Sequence, residues 1–273
     1  MTITASATIH HARILDRKEL APGVILLGFD APQLVSVTRP GQFVMVVPPG
    51  GMSAATALGI YEAEGSRASI MFFVVGPRTR ALAELAVGES IDVAGPLGNG
   101  FTLDGARDVA IVAGGVGIAS VLLPAIALVR AGVRVRLYYG ARTSALLVDR
   151  ERFLEAGCEV LVATDDGSEG HHGYVTELLE TNDDRPEMLL ACGPTPMLRA
   201  VARVAGEMTI SAQLSLEETF ACGVGGCWGC VVPILRTSSQ APSFPPVERG
   251  GSDVVYARVC KEGPVFWAHE LRW

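Results

Sequence analysis

The sequence predicts a β + α/β protein: a small antiparallel β-barrel, then a parallel-sheet domain, then a small C-terminal module. Three observations predict it. Over 1–104, short apolar or β-branched runs are separated by Pro and Gly clusters such as Pro48-Pro49-Gly50-Gly51, the rhythm of closely spaced barrel strands. From about Gly105 to 210, strand-like and helix-like runs alternate, which calls for a parallel sheet with helices on its faces. Beyond 210 lie four of the six cysteines, interrupted by a stretch rich in Pro, Ser and Gly at 237–252.

The bulk properties fit two compact domains with an appendage. A chain of 273 residues, 49% hydrophobic and 19% charged, buries a sizeable core and is neither disordered, collagen-like nor a disulfide mini-protein. Its net charge of −7, with no run of Lys or Arg, argues against nucleic acid or an anionic membrane surface as partner. The opening segment carries His10, His11, Arg13, Asp16, Arg17, Lys18 and Glu19 and lacks an apolar core, so it does not read as a signal peptide. A cytoplasmic protein is expected, in which thiols stay reduced and clustered cysteines point to metal before disulfides.

The barrel strands fall at 24–29, 42–47, 70–75 and 91–93, with a short helix over 79–86. In the second domain the order is strand 109–112, helix 118–130, strand 133–139, helix 145–156, strand 159–163, helix 175–180, strand 188–191 and helix 195–206. The run 109–129 carries no charge and is long enough on paper to span a bilayer. Gly114, Gly115 and Gly117 divide it and Pro124 lies in its second half, so a buried strand, a glycine turn and a helix account for it better.

The most specific chemical signal is Cys222-x4-Cys227-x2-Cys230 followed far downstream by Cys260. That is the plant-type [2Fe–2S] spacing, in which four thiolates hold the cluster. The intervening Gly223, Gly225, Gly226 and Gly229 suit a loop whose backbone amides approach sulfur. A structural zinc site and buried free thiols are the competing readings; zinc motifs usually pair their cysteines as two C-x2-C knuckles, a pattern absent here.

Other motifs are weaker. Ala113-Gly114-Gly115-Val116-Gly117-Ile118-Ala119-Ser120 follows a strand and opens a helix, so Gly114, Gly115 and Gly117 suit either a pyrophosphate at a helix N-terminus or merely a tight turn. Thr164-Asp165-Asp166-Gly167 ends a strand, where Asp165 suits either a ribose or a turn. Cys192-Gly193-Pro194-Thr195-Pro196 reads as a helix start with Thr195 as N-cap, and Cys192 could also lie against a nicotinamide ring. Cys158 reads as a buried thiol, and His171-His172 as an exposed loop.

Taken together, Gly41-Gln42-Phe43, Gly95-Pro96-Leu97-Gly98-Asn99-Gly100-Phe101, the 113–119 turn, the 192–196 turn, the 215–230 segment and Val259-Cys260-Lys261-Glu262-Gly263-Pro264-Val265-Phe266 resemble the ferredoxin–NADP reductase superfamily. Within it they are most similar to the electron-transfer subunits of heteromeric, NAD-dependent dihydroorotate dehydrogenases. The resemblance implies an FAD barrel, an NAD(H) domain, and a [2Fe–2S] cluster passing electrons to or from the flavin of a catalytic partner subunit. Small subunits of ferredoxin–NADP transhydrogenases or hydrogenases, and a cluster-bearing relay without FAD, are the alternatives.

The resemblance also places the flavin motif, Arg-Pro-x-Ser in the family, at Thr56-Ala57-Leu58-Gly59. Thr56 thus stands for the Arg that meets the FAD pyrophosphate, and the hydroxyl is lost at Gly59. The family's Gly-x-Gly-Thr reads Gly76-Pro77-Arg78-Thr79, and an Arg on the preceding strand reads Phe73. Flavin is therefore expected in a non-standard cradle, with Arg78 or Arg80 supplying the missing positive charge. Trp228 and the tail Val265-Phe266-Trp267 are expected at the partner interface.

Overall fold

The computed structural model describes residues 8–47, 55–181, 185–242 and 253–273; the Pro48-Pro49-Gly50-Gly51 cluster and most of the 237–252 stretch lie outside them. The first half is a closed antiparallel barrel built from β1 (Thr8–Ala21), β2 (Val24–Asp30), β3 (Phe43–Val47), β4 (Thr56–Glu64), β5 (Arg67–Phe73) and β6 (Ser90–Leu97), in the order β1-β2-β5-β4-β3-β6. Helix α1 (Pro32–Val37) follows β2, and α2 (Pro77–Ala83) follows β5. Ile14, Leu27, Phe29, Val44, Val46, Ile60, Ile70 and Val93 fill the barrel.

Two strands escape a reading by apolar runs. β1 buries only Ala12, Ile14 and Ala21 and turns its charged residues outward, so its period-two signal is diluted. β4 buries only Ile60 and Tyr61, because much of its length faces the second domain rather than the barrel core.

The second half is a sheet with helices on its faces. Its elements are β7 (Asp108–Gly114), α3 (Leu122–Arg130), β8 (Arg134–Ala141), α4 (Glu151–Glu155), β9 (Glu159–Thr164), β10 (His171–His172), α5 (Val175–Thr181), β11 (Met188–Cys192), α6 (Thr195–Met208) and β12 (Ser211–Ser215). Strands β7, β8, β9, β11 and β12 are parallel, in the order β9-β8-β7-β11-β12. The central β7 and β11 are almost wholly buried because apolar layers cover both faces, which is why they read as continuous apolar runs. The strand order reverses at β7, so the carboxyl ends of β7 and β11 flank the crevice where such sheets bind ligands.

Several expectations need correction. The helix expected over 118–130 is a 3₁₀ turn, Gly115–Ser120, followed by α3, because Gly115 adopts φ +53° and Val121 φ −116° before the α-helix begins. The helix expected over 145–156 is likewise divided into a 3₁₀ turn, Ser144–Leu146, and the short α4, with Asp149 in the left-handed region at φ 54° between them. His171 and His172 form the edge strand β10 beside β9 rather than a bare loop, and His171 Nε2 lies 3.0 Å from Glu177 Oε2. No helix among the described residues is long and apolar enough to cross a membrane.

Beyond 210 the chain first completes the large sheet. After β12 come the hairpin-like pair β13 (Val231–Leu235) and β14 (Val254–Arg258), and then β15 (Val265–Trp267), which returns antiparallel to β12 at the sheet edge. Val265 and Phe266 are buried, with Phe266 opposite Leu214. Val265 and Phe266 of the tail expected at a partner interface are thus covered within an edge strand, while Trp267 is half-buried.

The barrel and the sheet are clamped along β4. The Tyr61 hydroxyl donates to Asp149, and Arg152 of α4 pairs with Glu62, which also accepts from Arg67 at 2.7 Å. Arg67 in turn grips Asp16 through two hydrogen bonds of 2.9 Å. The clamp fixes the angle at which the barrel strand carrying Thr56 and Gly59 meets the crevice of the sheet.

Candidate functional site

A cleft of about 840 Å³ opens at the carboxyl ends of the parallel strands. Its floor is the backbone of 114–117, and its walls include Phe73, Arg142, Asp165, Tyr174, Pro194, Met197 and Glu217. Gly117 makes this floor possible: a Cβ there would lie 2.3 Å from the Cys192 carbonyl oxygen, so only glycine lets the 3₁₀ turn after β7 lie this close to the end of β11. Gly114 is pressed in the same way against Met197 and Pro194. The glycine turn is therefore both a tight packing point and an open backbone surface facing the cleft.

The structure separates the two aspartates of the 164–167 turn. Asp165 lines the cleft. Asp166 turns back and accepts from the Ser168 amide at 3.0 Å and its hydroxyl at 2.6 Å, which holds its carboxyl below the usual carboxylate range. Thr164 is buried and bonds both the amide and the carbonyl of Glu169, pinning the turn from below. Arg142 lines the same side of the cleft as Asp165.

Cys192 ends β11 and is completely buried. Its Sγ lies 3.9 Å from Glu217 Oε1 and within hydrogen-bonding reach of the Ser120 and Ser215 hydroxyls. Burial, reinforced by the Glu217 carboxylate, pushes the thiol up to about 12, so it stays protonated at neutral pH. Enclosure also raises the Glu217 carboxyl above the ordinary glutamate range, although the residue itself opens onto the cleft. A neutral thiol thus lies buried behind the cleft wall, next to the Glu217 carboxyl that lines the cleft. The sequence reading gives Glu217 and Ser120 no role. The signal for Glu217 was a charged residue one step beyond the apolar end of a buried strand.

On the barrel side, the flavin-motif positions lie on β4, facing the 3₁₀ turn after β7. Gly59 is a notch filled from across the interface: a Cβ on it would lie 2.6 Å from Ser120 Oγ. The hydroxyl absent from β4 is matched by one that the sheet domain supplies at the same place. Thr56 Oγ1 is buried and lacks a hydrogen-bond partner among the described residues, a cost that a bound polar group would relieve. Arg78 Nη1 donates to the Ala55 carbonyl at 2.9 Å, so its guanidinium lies directly beside Thr56. Arg80 is exposed on α2. The Thr79 hydroxyl accepts from the amides of Val75 and Gly76 at 3.0 and 3.1 Å and so caps α2. Ala57 and Leu58 are half-buried on β4, paired with Met45 and Val44.

The four cysteines of the C-terminal segment come together in two pairs. Cys222 Sγ is hydrogen-bonded by Cys227, and the Gly226 amide donates to Cys222 Sγ at 3.3 Å. Cys230 and Cys260 form the second pair, with the Cys260 amide 3.5 Å from Cys230 Sγ. Partial burial opposes ionisation of Cys222, but amides of Cys227, Val224 and Gly226 outweigh it and lower the thiol to about 6. Burial and the neighbouring Cys230 push Cys260 up to about 12. All six cysteines are free, and Cys158 is a buried thiol raised to about 11 by desolvation. Among the described residues, no three His, Cys, Asp or Glu side chains converge as ligands to one metal ion.

A closed antiparallel barrel clamped to a parallel sheet with a glycine-floored crevice defines the ferredoxin–NADP reductase class of oxidoreductases. Residues 111–203 match the oxidoreductase NAD-binding domain. The chain is 33% identical to the electron transfer subunit of dihydroorotate dehydrogenase B (NAD(+)) from Caldanaerobacter subterraneus subsp. tengcongensis, over 95% of this chain and 97% of that one. It is 36% identical to the corresponding subunit from Geobacillus kaustophilus, over 85% and 86%. The chain belongs to the family of dihydroorotate dehydrogenase B electron transfer subunits. Among solved structures it is similar to an NADH-dependent reduced ferredoxin–NADP oxidoreductase described for flavin-based electron bifurcation, with a TM-score of 0.82 and 29% identity over 100% of this chain and 92% of that one. A ferredoxin NADP+ reductase from Neisseria gonorrhoeae shares the fold, with a TM-score of 0.61 at 19% identity over 74% and 92%.

Proposed function

We propose that the chain is the electron-transfer subunit of an NAD-linked dihydroorotate dehydrogenase, serving pyrimidine synthesis with a separate catalytic flavoprotein in the cytoplasm. The observation that carries this reading is the conjunction of a full-length family match with four cysteines gathered as two pairs. Two thiolates per iron is what a [2Fe–2S] cluster asks of its protein. In this reading 1–104 is the FAD-type barrel and 105–210 the NAD domain, while 211–273 adds β12 and β15 to the sheet of that domain and carries the cysteine-bearing cluster module between them.

The residues present fit the implied groups. Cys222, Cys227, Cys230 and Cys260 would ligate the cluster, with amides such as that of Gly226 donating to sulfur. Arg78, the unpartnered Thr56 hydroxyl and the Ser120 hydroxyl in the Gly59 notch would meet a flavin along β4. A flavin, when bound, connects two-electron hydride chemistry to the one-electron chemistry of the cluster.

Around it the chain's own groups have distinct tasks. The 114–117 backbone receives the dinucleotide phosphates, and Asp165 faces the ribose and disfavours a 2′-phosphate, which selects NADH. Glu217, backed by the buried Cys192 thiol, lines the cleft where the nicotinamide would be oriented. No histidine belongs to this constellation, so oxidation of the final substrate falls to the partner.

The likeness to the NADH-dependent ferredoxin–NADP oxidoreductase supports a second reading, in which the same module feeds a different catalytic subunit. Anaerobic co-purification with the neighbouring subunit separates the two. Dihydroorotate-dependent reduction of NAD+ by the complex, with iron and flavin in the purified chain, is the expected result. A complex that is inert to dihydroorotate but transfers electrons between NADH, NADPH and ferredoxin establishes the second reading instead.

A further inference from the structure

Arg258, at the end of β14, reaches across to the cysteine loop. Its Nη1 donates to the Gly225 carbonyl at 2.8 Å, and its guanidinium carbon lies 4.3 Å from the centre of the Trp228 ring. Both contacts fall between cysteines: Gly225 between Cys222 and Cys227, Trp228 between Cys227 and Cys230. Trp228 needs such a hold, because it sits in the left-handed region at φ 56°, which a bulky side chain avoids. Arg258 is also two residues before Cys260 and opposite Val231, the residue after Cys230. One guanidinium therefore touches or adjoins every segment that carries a cysteine of the proposed cluster.

Glu262 fixes this guanidinium from behind. Its Oε2 accepts from Arg258 Nε at 2.9 Å and from the Arg258 amide at 2.8 Å, while Oε1 accepts from Nη2. Both side chains are nearly buried, at 13% and 12% exposure, so the pair is weakly screened. The fork aims the positive end of the pair at the loop and leaves the negative end on the far side. A cluster that accepts one electron gains one negative charge without making or breaking a bond, and a charge held this close acts on that step.

We propose that Arg258 is a positioning residue that holds the cysteine loop closed and favours the reduced cluster, with Glu262 as the opposing charge that sets how strongly it does so. The inference rests on the [2Fe–2S] reading, and the two fail separately. Full-length chain purified anaerobically is assayed for iron, sulfide and the reduced-state EPR signal, then titrated for its reduction potential. Wild type without iron and sulfide overturns the cluster reading and this inference with it.

Given a cluster, Arg258→Met should lower the reduced-to-oxidised ratio at a fixed potential about tenfold, a downward shift of about 59 mV for a one-electron couple. Glu262→Gln should move the ratio the other way, and Arg258→Lys should stay within about twofold of wild type. A purely structural pair would give shifts of one sign in both variants, or none, and either result overturns the proposal. Where Arg258→Met loses its iron, the opposite shift of Glu262→Gln and the iron content and potential of Arg258→Lys decide the question: retention near wild type supports the charge role, and loss in Arg258→Lys overturns it.

Discussion

The nucleotide cleft and the cysteine loop do comparable work by opposite constructions. The cleft is cast in packed backbone: β7 and β11 are buried on both faces, and Gly117 lets the turn after β7 rest directly on the end of β11. The 222–230 loop has neither helix nor strand and is held by Arg258, a few amides and the thiols themselves. A site stored in a hydrophobic core exists before its ligand arrives. A site made of thiols and amides takes much of its stability from what it binds. The lesson is that one chain can carry a rigid, ligand-independent half and a half completed by its cofactor.

The strongest way to test this contrast is Cys227→Ser. Iron in the anaerobically purified chain should fall to background, while NADH binding and the main thermal unfolding transition stay near wild type. Simultaneous loss of the cleft would show the two regions to be one cooperative unit.

Gly117→Ala probes the other side. The added methyl meets the Cys192 carbonyl, and the turn must lift off the end of β11, which should cost on the order of 3 kcal/mol or more and abolish NADH binding. Calorimetry and a fluorescence titration measure both quantities, and the cysteine loop should still take up iron in whatever fraction remains folded.

The flavin cradle falls between these extremes, and Arg78→Ala combined with Arg80→Ala measures how far. Removing a charge-assisted contact to phosphate should cost about 2 kcal/mol, roughly a thirtyfold weaker affinity for FAD. Almost all of it should come from Arg78, which lies beside Thr56, rather than from the exposed Arg80. Equal losses in the two single variants would sink the assignment.

The smallest effect concerns the clamp between the domains. Arg67 holds the Asp16 carboxyl below its usual 3.8. Burial opposes ionisation of Glu62, yet Arg67 and Arg152 bring it below 4.5. A carboxyl depressed in the folded state stabilises above its unfolded value, and that contribution is lost as pH falls through the folded one. Wild type should therefore lose stability below about pH 4.5, by about 1 kcal/mol from Glu62 after solvent screening. Glu62→Gln should be less stable at pH 7 and show a shallower decline on acidification, followed by thermal midpoints between pH 7 and 3.

Much of this was legible in the sequence. The cysteine spacing, the glycine turn at 114–117 and the change from strand runs to strand–helix alternation are local patterns, and local patterns report backbone period and ligand type directly. Charged β1 and half-facing β4 were not legible as strands, because their side chains divide between solvent, barrel and the other domain. The long helices expected at 118–130 and 145–156 broke at Val121 and Asp149, where the backbone leaves helical geometry despite the apolar periodicity. Val265 and Phe266 read as partner-interface residues and are buried in an edge strand, since only the return of the chain to β12 provides their cover.

The amino-acid sequence by itself determined the order of the parts and the chemistry each can carry: barrel, sheet, four thiols, a glycine floor. Only the tertiary structure decided which distant residues stand in for one another. It set Arg78 beside Thr56, dropped the Ser120 hydroxyl into the notch of Gly59, gave Asp165 to the cleft and Asp166 to its own turn, and placed Glu217 against Cys192. The physical reason is that spacing along a chain fixes what neighbours in sequence can do together. Contacts between residues far apart are fixed by the close packing of buried surfaces, which no local pattern contains.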